Sequence, residues 1–266
     1  MNKWEQLPDP EPGYIPPKRI QQLHPPLKLP DGERITVITI LRKGYIEFND
    51  KEFDIRYVKA LKNGFDRFLT NRPFDFVCLT DSVKEVSKIP GVIPMELSNS
   101  KLTSKYCKFE IHRLDIHERL RTNQIFYLDL DTLITGNLNT LFSFGGNFAC
   151  LKHPFLKGFV MGGFLSFRRK ELSYLYNKFV CNLEENMKHY PIYKGRGDQL
   201  WMYRHCKYIP LYWDDLYPDE IVVNWRRVSQ KDINKTKIIF FSGNDTPDKC
   251  KDHKLVKDFW NYEISS

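Results

Sequence analysis

Residues 124–138 read Q-I-F-Y-L-D-L-D-T-L-I-T-G-N-L, and this stretch indicates the fold class of the whole chain. Residues 125–128 are aromatic or branched, which is typical of a buried strand. Asp129, Leu130 and Asp131 follow directly. If the strand continues through them, alternation of side chains places both carboxylates on one face and Leu130 on the other.

Two carboxylates held that close repel each other unless a cation lies beside them. Mg²⁺ and Mn²⁺ prefer oxygen ligands, and proteins hold Mg²⁺ with one or two carboxylates and substrate phosphates. In open α/β sheets, ligands bind at the carboxyl ends of strands. The stretch therefore predicts a metal and diphosphate site. The alternative is a strand followed by an aspartate that caps a helix or begins a turn, with Thr132 and Gly136 setting the backbone conformation after the strand.

The segment Y-L-D-L-D-T-L-I-T-G-N-L, residues 127–138, resembles the D-x-D segment of GT-A glycosyltransferases. It is most similar to family 8, the group of glycogenin and the lipopolysaccharide galactosyltransferases. The resemblance implies an α/β fold with a mostly parallel central sheet between helices, and with D-x-D at the carboxyl edge. It implies transfer of a hexose from a UDP-sugar to a glycan or protein acceptor, with retention of configuration. Asp129 and Asp131 would hold Mn²⁺ or Mg²⁺, and Asp129 would also contact the nucleotide.

The bulk composition suits one large α/β domain, or at most two small ones. The chain has 266 residues, of which 41% are hydrophobic and 14% aromatic, and its formal net charge is +8. A basic surface favours polyanionic partners such as nucleotide-sugars, nucleic acid or anionic membrane. Because the sequence has no RNP, zinc-finger or KH signature, we expect no nucleic-acid partner. Peripheral membrane contact stays open.

Cysteine usage and the lack of long apolar segments predict a cytoplasmic protein. The six cysteines are widely spaced without a C-x-x-C pair, which is typical of free thiols in a reducing compartment. No stretch is apolar over the length of a signal-peptide core or a transmembrane span.

The chain divides into an arm and a domain. Residues 1–33 hold eight of the 16 prolines, so we expect an extended arm that wraps on the domain or docks a partner; a disordered leader is the alternative. Residues 34–266 form the GT-A-like domain. It begins with a β-branched strand over 34–41 and has amphipathic helices over 54–69 and 171–188.

The resemblance assigns four residues to the nucleotide. In the family the first strand ends at the base, so the backbones of Thr39 and Leu41 would contact uracil. Tyr57 matches a family tyrosine that stacks on the base, and its position off the apolar stripe of the first helix agrees with this role; the alternative is half-buried packing. Asp81 follows the strand over 74–79 and would accept from the uracil N–H or the ribose. The alternative for Asp81 is a helix N-cap.

Two further residues would face the donor. Lys108 matches a lysine that precedes the D-x-D strand in the family and helps to bind the donor. Gly163 matches a glycine whose backbone lets the sugar approach. Met161 and Gly162 replace the family's Asn and Ser, which leaves the identity of the sugar open.

The segment G-R-G-D-Q, residues 195–199, resembles the family's Asp-Gln pair at the start of a helix that faces the reacting sugar. A carboxylate there can orient a hydroxyl or act near the anomeric carbon, so Asp198 and Gln199 are the candidate catalytic residues. The alternative for Asp198 is N-capping of the helix.

The closing motif departs from the family. Ser242 stands where a histidine metal ligand is expected, and Thr246 where a diphosphate-binding lysine is expected. Asn244 or Asp245 would be the replacement oxygen ligand, with a nearby lysine as the replacement charge. Otherwise metal binding is weak or lost.

Two other functions fit parts of the sequence. A haloacid-dehalogenase-type phosphatase also places two aspartates after a hydrophobic strand, and Asp214 and Asp215 mimic its late acidic pair. However, that motif needs a glycine between Asp131 and Thr132, which is absent. The second alternative is a non-catalytic sugar or nucleotide binding protein on the same scaffold. Metal-dependent hydrolysis of the donor separates an enzyme from a binding protein.

Overall fold

A mostly parallel sheet of seven strands forms the centre of the protein. The structure, a computed structural model, describes residues 13–24, 26–42, 52–153, 159–191, 197–222, 224–228, 234–241 and 245–263. The described strands are β1 (Leu27–Lys28), β2 (Ile35–Leu41), β3 (Phe74–Thr80), β4 (Val92–Glu96), β5 (Gln124–Leu128), β6 (Thr132–Ile134), β7 (Phe144–Gly145), β8 (Phe148–Lys152), β9 (Val160–Arg168), β10 (Leu211–Tyr212), β11 (Ile221–Val222) and β12 (Ile238–Phe240).

Helices cover both faces of this sheet. The described α-helices are α1 (Ile55–Phe68), α2 (Val83–Val86), α3 (Leu114–Arg119), α4 (Ser173–Val180), α5 (Leu183–His189), α6 (Gly197–His205), α7 (Trp213–Leu216) and α8 (Lys254–Phe259). Short 3₁₀ segments cover Ser104–His112, Leu141–Ser143 and Trp225–Arg227.

The strand order of the main sheet is β10-β8-β9-β5-β2-β3-β4. The chain starts in the middle with β2, moves outward through β3 and β4, and returns to the other side of β2 as β5; all four strands are parallel. β9 runs antiparallel to β5 and β8. The order reverses between β2 and β5, and ligands of open α/β sheets bind at such a point, beyond the carboxyl ends of the strands.

The sheet is buried on both faces, as the β-branched composition of β2 requires. All seven residues of β2 are buried. One core cluster lies between the sheet and α1, and a second between the sheet and helices α4 and α6. The packing places the start of α6 beside β9 and the 3₁₀ segment Ser104–His112.

Helix α1 approaches β6 at very short range. A Cβ atom on Gly64 would lie 2.8 Å from the Cβ of Ile134, a distance that real Cβ atoms essentially never adopt. This contact fixes the separation of α1 from the strand that follows the two aspartates.

The predicted helix over 171–188 is two helices, α4 and α5. The side-chain amide of Asn186 donates to the carbonyl of Phe179 at 2.8 Å and replaces a helical backbone bond at the break. Asn182 occupies the N-cap position of α5 with a non-helical backbone. Asparagine favours such positions because its side chain competes for backbone groups.

All six cysteines are free, in agreement with the sequence prediction. Burial raises the pKa of the Cys206 thiol to about 11, so this thiol is protonated at neutral pH. Cys181, by contrast, is exposed. Among the helices in the described ranges, none is long and apolar enough to cross a membrane.

Candidate active site

The two aspartates lie in a turn and not on a continuing strand. β5 ends just before Asp129, and residues 129–131 lead into β6. The hydroxyl of Thr132 donates to the carbonyl of Asp129 and closes the turn. The prediction of a continuing strand is therefore wrong. One hydrogen bond to β9 still forms beyond the end of β5, because the amide of Asp129 donates to the carbonyl of Gly163 at 3.0 Å. Leu130 is buried in the core, and Asp131 is only 9% exposed.

Thr39 stabilises the end of β5 at the switch point of the sheet. Its buried hydroxyl donates to the carbonyl of Leu128 at 2.9 Å, one residue before Asp129. Leu41 pairs with Thr80 at the carboxyl end of β2, and its side chain is buried in the core. The structure thus places both residues at the carboxyl edge where the sequence predicts the nucleotide.

A lysine and a tyrosine converge on the first aspartate. The ammonium of Lys108 lies 2.8 Å from Oδ1 and 2.9 Å from Oδ2 of Asp129. The hydroxyl of Tyr127 donates to Oδ1 at 2.5 Å. Burial and the Asp129 charge raise the pKa of Tyr127 well above its usual value, so it remains a proton donor. The carboxylate is thereby held in one orientation, with 27% of its side chain still exposed.

Asp198 meets the same group of residues from the start of α6. It is 2% exposed, and its Oδ2 has no hydrogen-bond partner in the part of the chain that the structure describes. Burial raises the pKa of Asp198 and the charge of Asp129 adds to this, whereas Lys108 and Lys105 lower it. A buried carboxylate oxygen without a partner is costly and is available to a hydroxyl of a ligand.

Two glycines of β9 make room between these side chains. A Cβ on Gly162 would lie 3.4 Å from Asp198 Oδ2, 3.7 Å from Lys108 Nζ and 3.8 Å from Gln199 Cγ. A Cβ on Gly163 would lie 3.5 Å from Asp129 Oδ2. The structure therefore brings Lys108, Asp129, Gly163, Asp198 and Gln199 together.

Tyr57 lies in a different environment from the predicted one. It is 1% exposed, whereas the sequence placed it off the apolar stripe of α1. Its ring makes edge contacts with Phe53 and Trp260 at centroid distances of 4.9 and 5.4 Å, and its hydroxyl donates to Asp248. Tyr57 thus ties the chain after β12 to α1.

Asp81 is exposed and follows β3 at the carboxyl edge. The N-cap position of α2 belongs to Ser82, which makes no side-chain capping bond. Asp81 therefore does not occupy the N-cap position that was its alternative assignment.

The closing segment is described only in part. Ser242 stands where the family has its histidine, and Asn244 is one of the two expected replacement ligands. Both residues lie outside the described ranges. Asp245 accepts from Trp225 Nε1 at 2.7 Å and from Arg226 at 2.8 Å. In the described ranges, no three His, Cys, Asp or Glu side chains are grouped as metal ligands. Asp129 and Asp131 are thus the candidate metal ligands that this part of the chain offers.

Sequence reasoning missed two residues that hold the site. Tyr127 shares a strand face with Asp129 by the same alternation rule that was applied to Asp131, so the signal was present. Asp248 accepts from the hydroxyls of Tyr57 and Thr246. Its role follows from contacts across the chain, and no local pattern indicates it.

The sequence matches no family model and no curated protein sequence. Solved structures match its fold. The galactosyltransferase LgtC, in complex with donor and acceptor sugar analogs, matches with a TM-score of 0.58 at 10% identity over 87% of this chain and 97% of LgtC. The glycosyltransferase GlyE of Streptococcus pneumoniae TIGR4 matches with a TM-score of 0.57 at 16% identity over 87% of this chain. The chain spans 61% of the length of GlyE.

At these identities the likeness establishes the fold, and the predicted GT-A fold is confirmed. Asp214 and Asp215, the acidic pair that suggested a phosphatase, both bind Lys152. Asp214 accepts from the backbone amide of Lys152 at 2.8 Å, and Asp215 pairs with the Lys152 ammonium.

Proposed function

We propose that the protein is a metal-dependent glycosyltransferase that moves a hexose from a UDP-sugar to a glycan or protein acceptor and retains the anomeric configuration. The observation that carries the proposal is the convergence of Lys108, Asp129 and Asp198 around the adjacent Gly162 and Gly163. These groups lie beyond the carboxyl end of β5, beside the switch point of the sheet. The fold shared with LgtC and GlyE supports the same class of reaction.

Asp129 and Asp131 would hold Mn²⁺ or Mg²⁺. Both supply carboxylate oxygens, the ligand type that these ions prefer. Asp129 already accepts from Lys108 and Tyr127, but a carboxylate offers about four acceptor positions and this one is partly exposed. The residues therefore fit an ion that completes its shell with diphosphate oxygens. When bound, the ion supplies positive charge to the diphosphate leaving group.

Lys108 and Tyr127 set the electrostatics of the site. Lys108 places a fixed positive charge between Asp129 and Asp198, where it lowers the pKa of Asp198 against the effect of burial. Tyr127 keeps its proton and orients Asp129. Negative charge grows on the diphosphate of the donor in the transition state. Because the Lys108 charge is already in position, the site need not reorganise to stabilise it.

Asp198 would bind the donor sugar. Its buried Oδ2 accepts a sugar hydroxyl across the space left by Gly162, and the amide of Gln199 lies beside the same space. Binding there holds the sugar between Asp198 and the diphosphate. The uracil and ribose would lie at the ends of β2 and β3, near Leu41 and Asp81; stacking of Tyr57 on the base stays a prediction.

Calorimetric titration with UDP, with and without Mn²⁺, tests the nucleotide and metal site. We expect binding that depends on Mn²⁺ and that is lost in Asp131→Ala. Asp252→Ala, which removes an exposed carboxylate, is the matched control and should bind like the wild type. Metal-independent binding, or normal turnover by Asp131→Ala, would overturn the metal assignment.

Hydrolysis of a panel of UDP-sugars then separates an enzyme from a binding protein. We expect Mn²⁺-dependent release of UDP from at least one donor, with the α or β configuration of the first product equal to that of the donor. A protein that binds UDP and Mn²⁺ but hydrolyses and transfers no donor would be the non-catalytic binding protein.

A further inference from the structure

The last turn of helix α6 is closed by side chains from other parts of the chain. An α-helix leaves its final four carbonyls without intrahelical partners. In α6, the carbonyl of Met202 accepts from the amide of Cys206 at 2.8 Å. The next three carbonyls, those of residues 203–205, accept from side chains, and the donor to His205 is the hydroxyl of Tyr174 at 3.4 Å.

Two of these three carbonyls are bound by the proline-rich arm. Arg19 donates from Nη2 to the carbonyl of Tyr203 at 2.5 Å and from Nη1 to that of Cys206 at 2.9 Å. Tyr14 donates its hydroxyl to the carbonyl of Arg204 at 2.8 Å. The guanidinium charge also lies at the negative end of the helix dipole, where a cation is stabilising.

The arm is itself fixed to the sheet at the residues that follow Arg19. The amide of Ile20 donates to the carbonyl of Lys207 at 2.8 Å, and its carbonyl accepts from Ile209 at 3.1 Å. The buried side chain of Gln22 donates to the carbonyls of Phe148 and Ile209 at 2.6 and 2.7 Å. The two capping side chains therefore project from a segment that is anchored to β8 and to the chain after α6.

We propose that Tyr14 and Arg19 are positioning residues for the donor-sugar site, an inference that rests on the proposed function. Asp198 and Gln199 lie in the first turn of α6, and the capped carbonyls lie in its last turn. At a rise of about 1.5 Å per residue, Asp198 lies about 8 Å along the axis from the carbonyls of Tyr203 and Arg204, and these groups move together. The arm fixes the helix along its axis and sets the distance of Asp198 from Gly162. A displacement of about 1 Å at a reacting centre can reduce the rate about 100-fold.

The test compares Arg19→Ala with Lys18→Ala. Lys18 is exposed and adjacent, so its variant removes the same charge without touching α6. We expect Arg19→Ala to lower kcat for UDP-sugar hydrolysis by about tenfold or more, with the Kd for UDP within about twofold of the wild type. Arg19→Lys should recover only part of kcat, because an ammonium lacks the planar fork that spans two carbonyls. Lys18→Ala should behave like the wild type.

Hydrogen exchange provides a readout that needs no activity. In Arg19→Ala the amides of α6 should exchange at least about tenfold faster than in the wild type, since charged hydrogen bonds are lost. Tyr14→Phe removes one hydroxyl and should accelerate exchange of the same amides by a smaller factor. This variant replaces Arg19→Ala in the test if Arg19→Ala does not fold. Equal exchange and equal kcat in the Arg19 and Lys18 variants would overturn the positioning role. A wild type without turnover would instead overturn the proposed function, while the exchange result would still decide whether the arm holds α6.

Discussion

The ammonium of Lys108 straddles the carboxylate of Asp129, at 2.8 Å from one oxygen and 2.9 Å from the other. The carboxylate that would hold a divalent ion is thus already partly neutralised by the chain itself. This reduces the repulsion between Asp129 and the buried Asp198, and it sets a competition between the lysine and an added cation.

Replacing Lys108 with Met should change metal affinity and turnover in opposite directions. Without the ammonium, the two aspartates of the turn attract Mn²⁺ more strongly, so Mn²⁺ should bind the UDP complex more tightly. Turnover should fall about 100-fold, because fixed positive charge beside the diphosphate is lost. Titration of Mn²⁺ against UDP-loaded protein and the hydrolysis rate measure the two effects. Lys101→Met, at an exposed position, is the control; a fall in both quantities for Lys108→Met would contradict the competition.

Replacing Asp198 with Asn should stabilise the fold at neutral pH and reduce activity. Burial raises the pKa of Asp198 above its usual range, so the folded state binds more protons than the unfolded state between the unfolded and the folded pKa. The contribution of Asp198 to the free energy of unfolding is therefore complete at low pH. It is lost as the pH rises through the pKa of Asp198 in the folded state. Urea unfolding should show a gain of about 1 kcal/mol for Asp198→Asn near pH 7. The gain should vanish near pH 4, and Asp252→Asn should show no such trend.

Gly162→Ser should give Asp198 the donor that it lacks. The new Cβ lies 3.4 Å from Asp198 Oδ2, so the serine hydroxyl can reach that oxygen. We expect about 1 kcal/mol of added stability and weaker binding of UDP-sugars, with UDP affinity unchanged. Gly162→Ala adds the same Cβ without a hydroxyl and separates the hydrogen bond from the steric effect. Equal stability of the Ser and Ala variants would show that the hydroxyl makes no such bond.

Thr39→Val should loosen the end of β5. Valine keeps the shape of the buried side chain but cannot donate to the carbonyl of Leu128, which should cost about 1 kcal/mol in urea unfolding. Because Asp129 is the next residue, Mn²⁺-dependent UDP binding should weaken as well. Thr39→Ser retains the hydroxyl and should retain the UDP affinity. A Val variant that binds UDP normally would show that the bond does not position Asp129.

The sequence predicts the central strands because β-branched, aromatic and other apolar residues dominate each of them. Residues 34–41 and 74–79 become β2 and β3 with ends shifted by at most one residue. The break between α4 and α5 was missed because apolar residues keep helical spacing on both sides of it. At the break, the side-chain amide of Asn186 donates to the carbonyl of Phe179, a contact that hydrophobic periodicity does not report.

The candidate site was predictable where a residue lies at the end of an element. Asp129 follows β5 and Asp198 lies at the start of α6, and the structure places them beside the adjacent Gly163 and Gly162. The burial of Tyr57 was not predictable from α1, because its partners Asp248 and Trp260 are about 200 residues away in the chain. Contacts of that kind depend on the tertiary structure and leave no local pattern.

Gly64 shows how far mutational sensitivity can extend from the chemistry. It bears no functional group, yet any side chain there would collide with Ile134 and displace the strand that leaves the aspartate turn. A saturation-mutagenesis screen for activity should therefore score position 64 as intolerant, on a par with Asp131. Such a screen, taken alone, would mistake a packing constraint of the scaffold for a residue of the reaction.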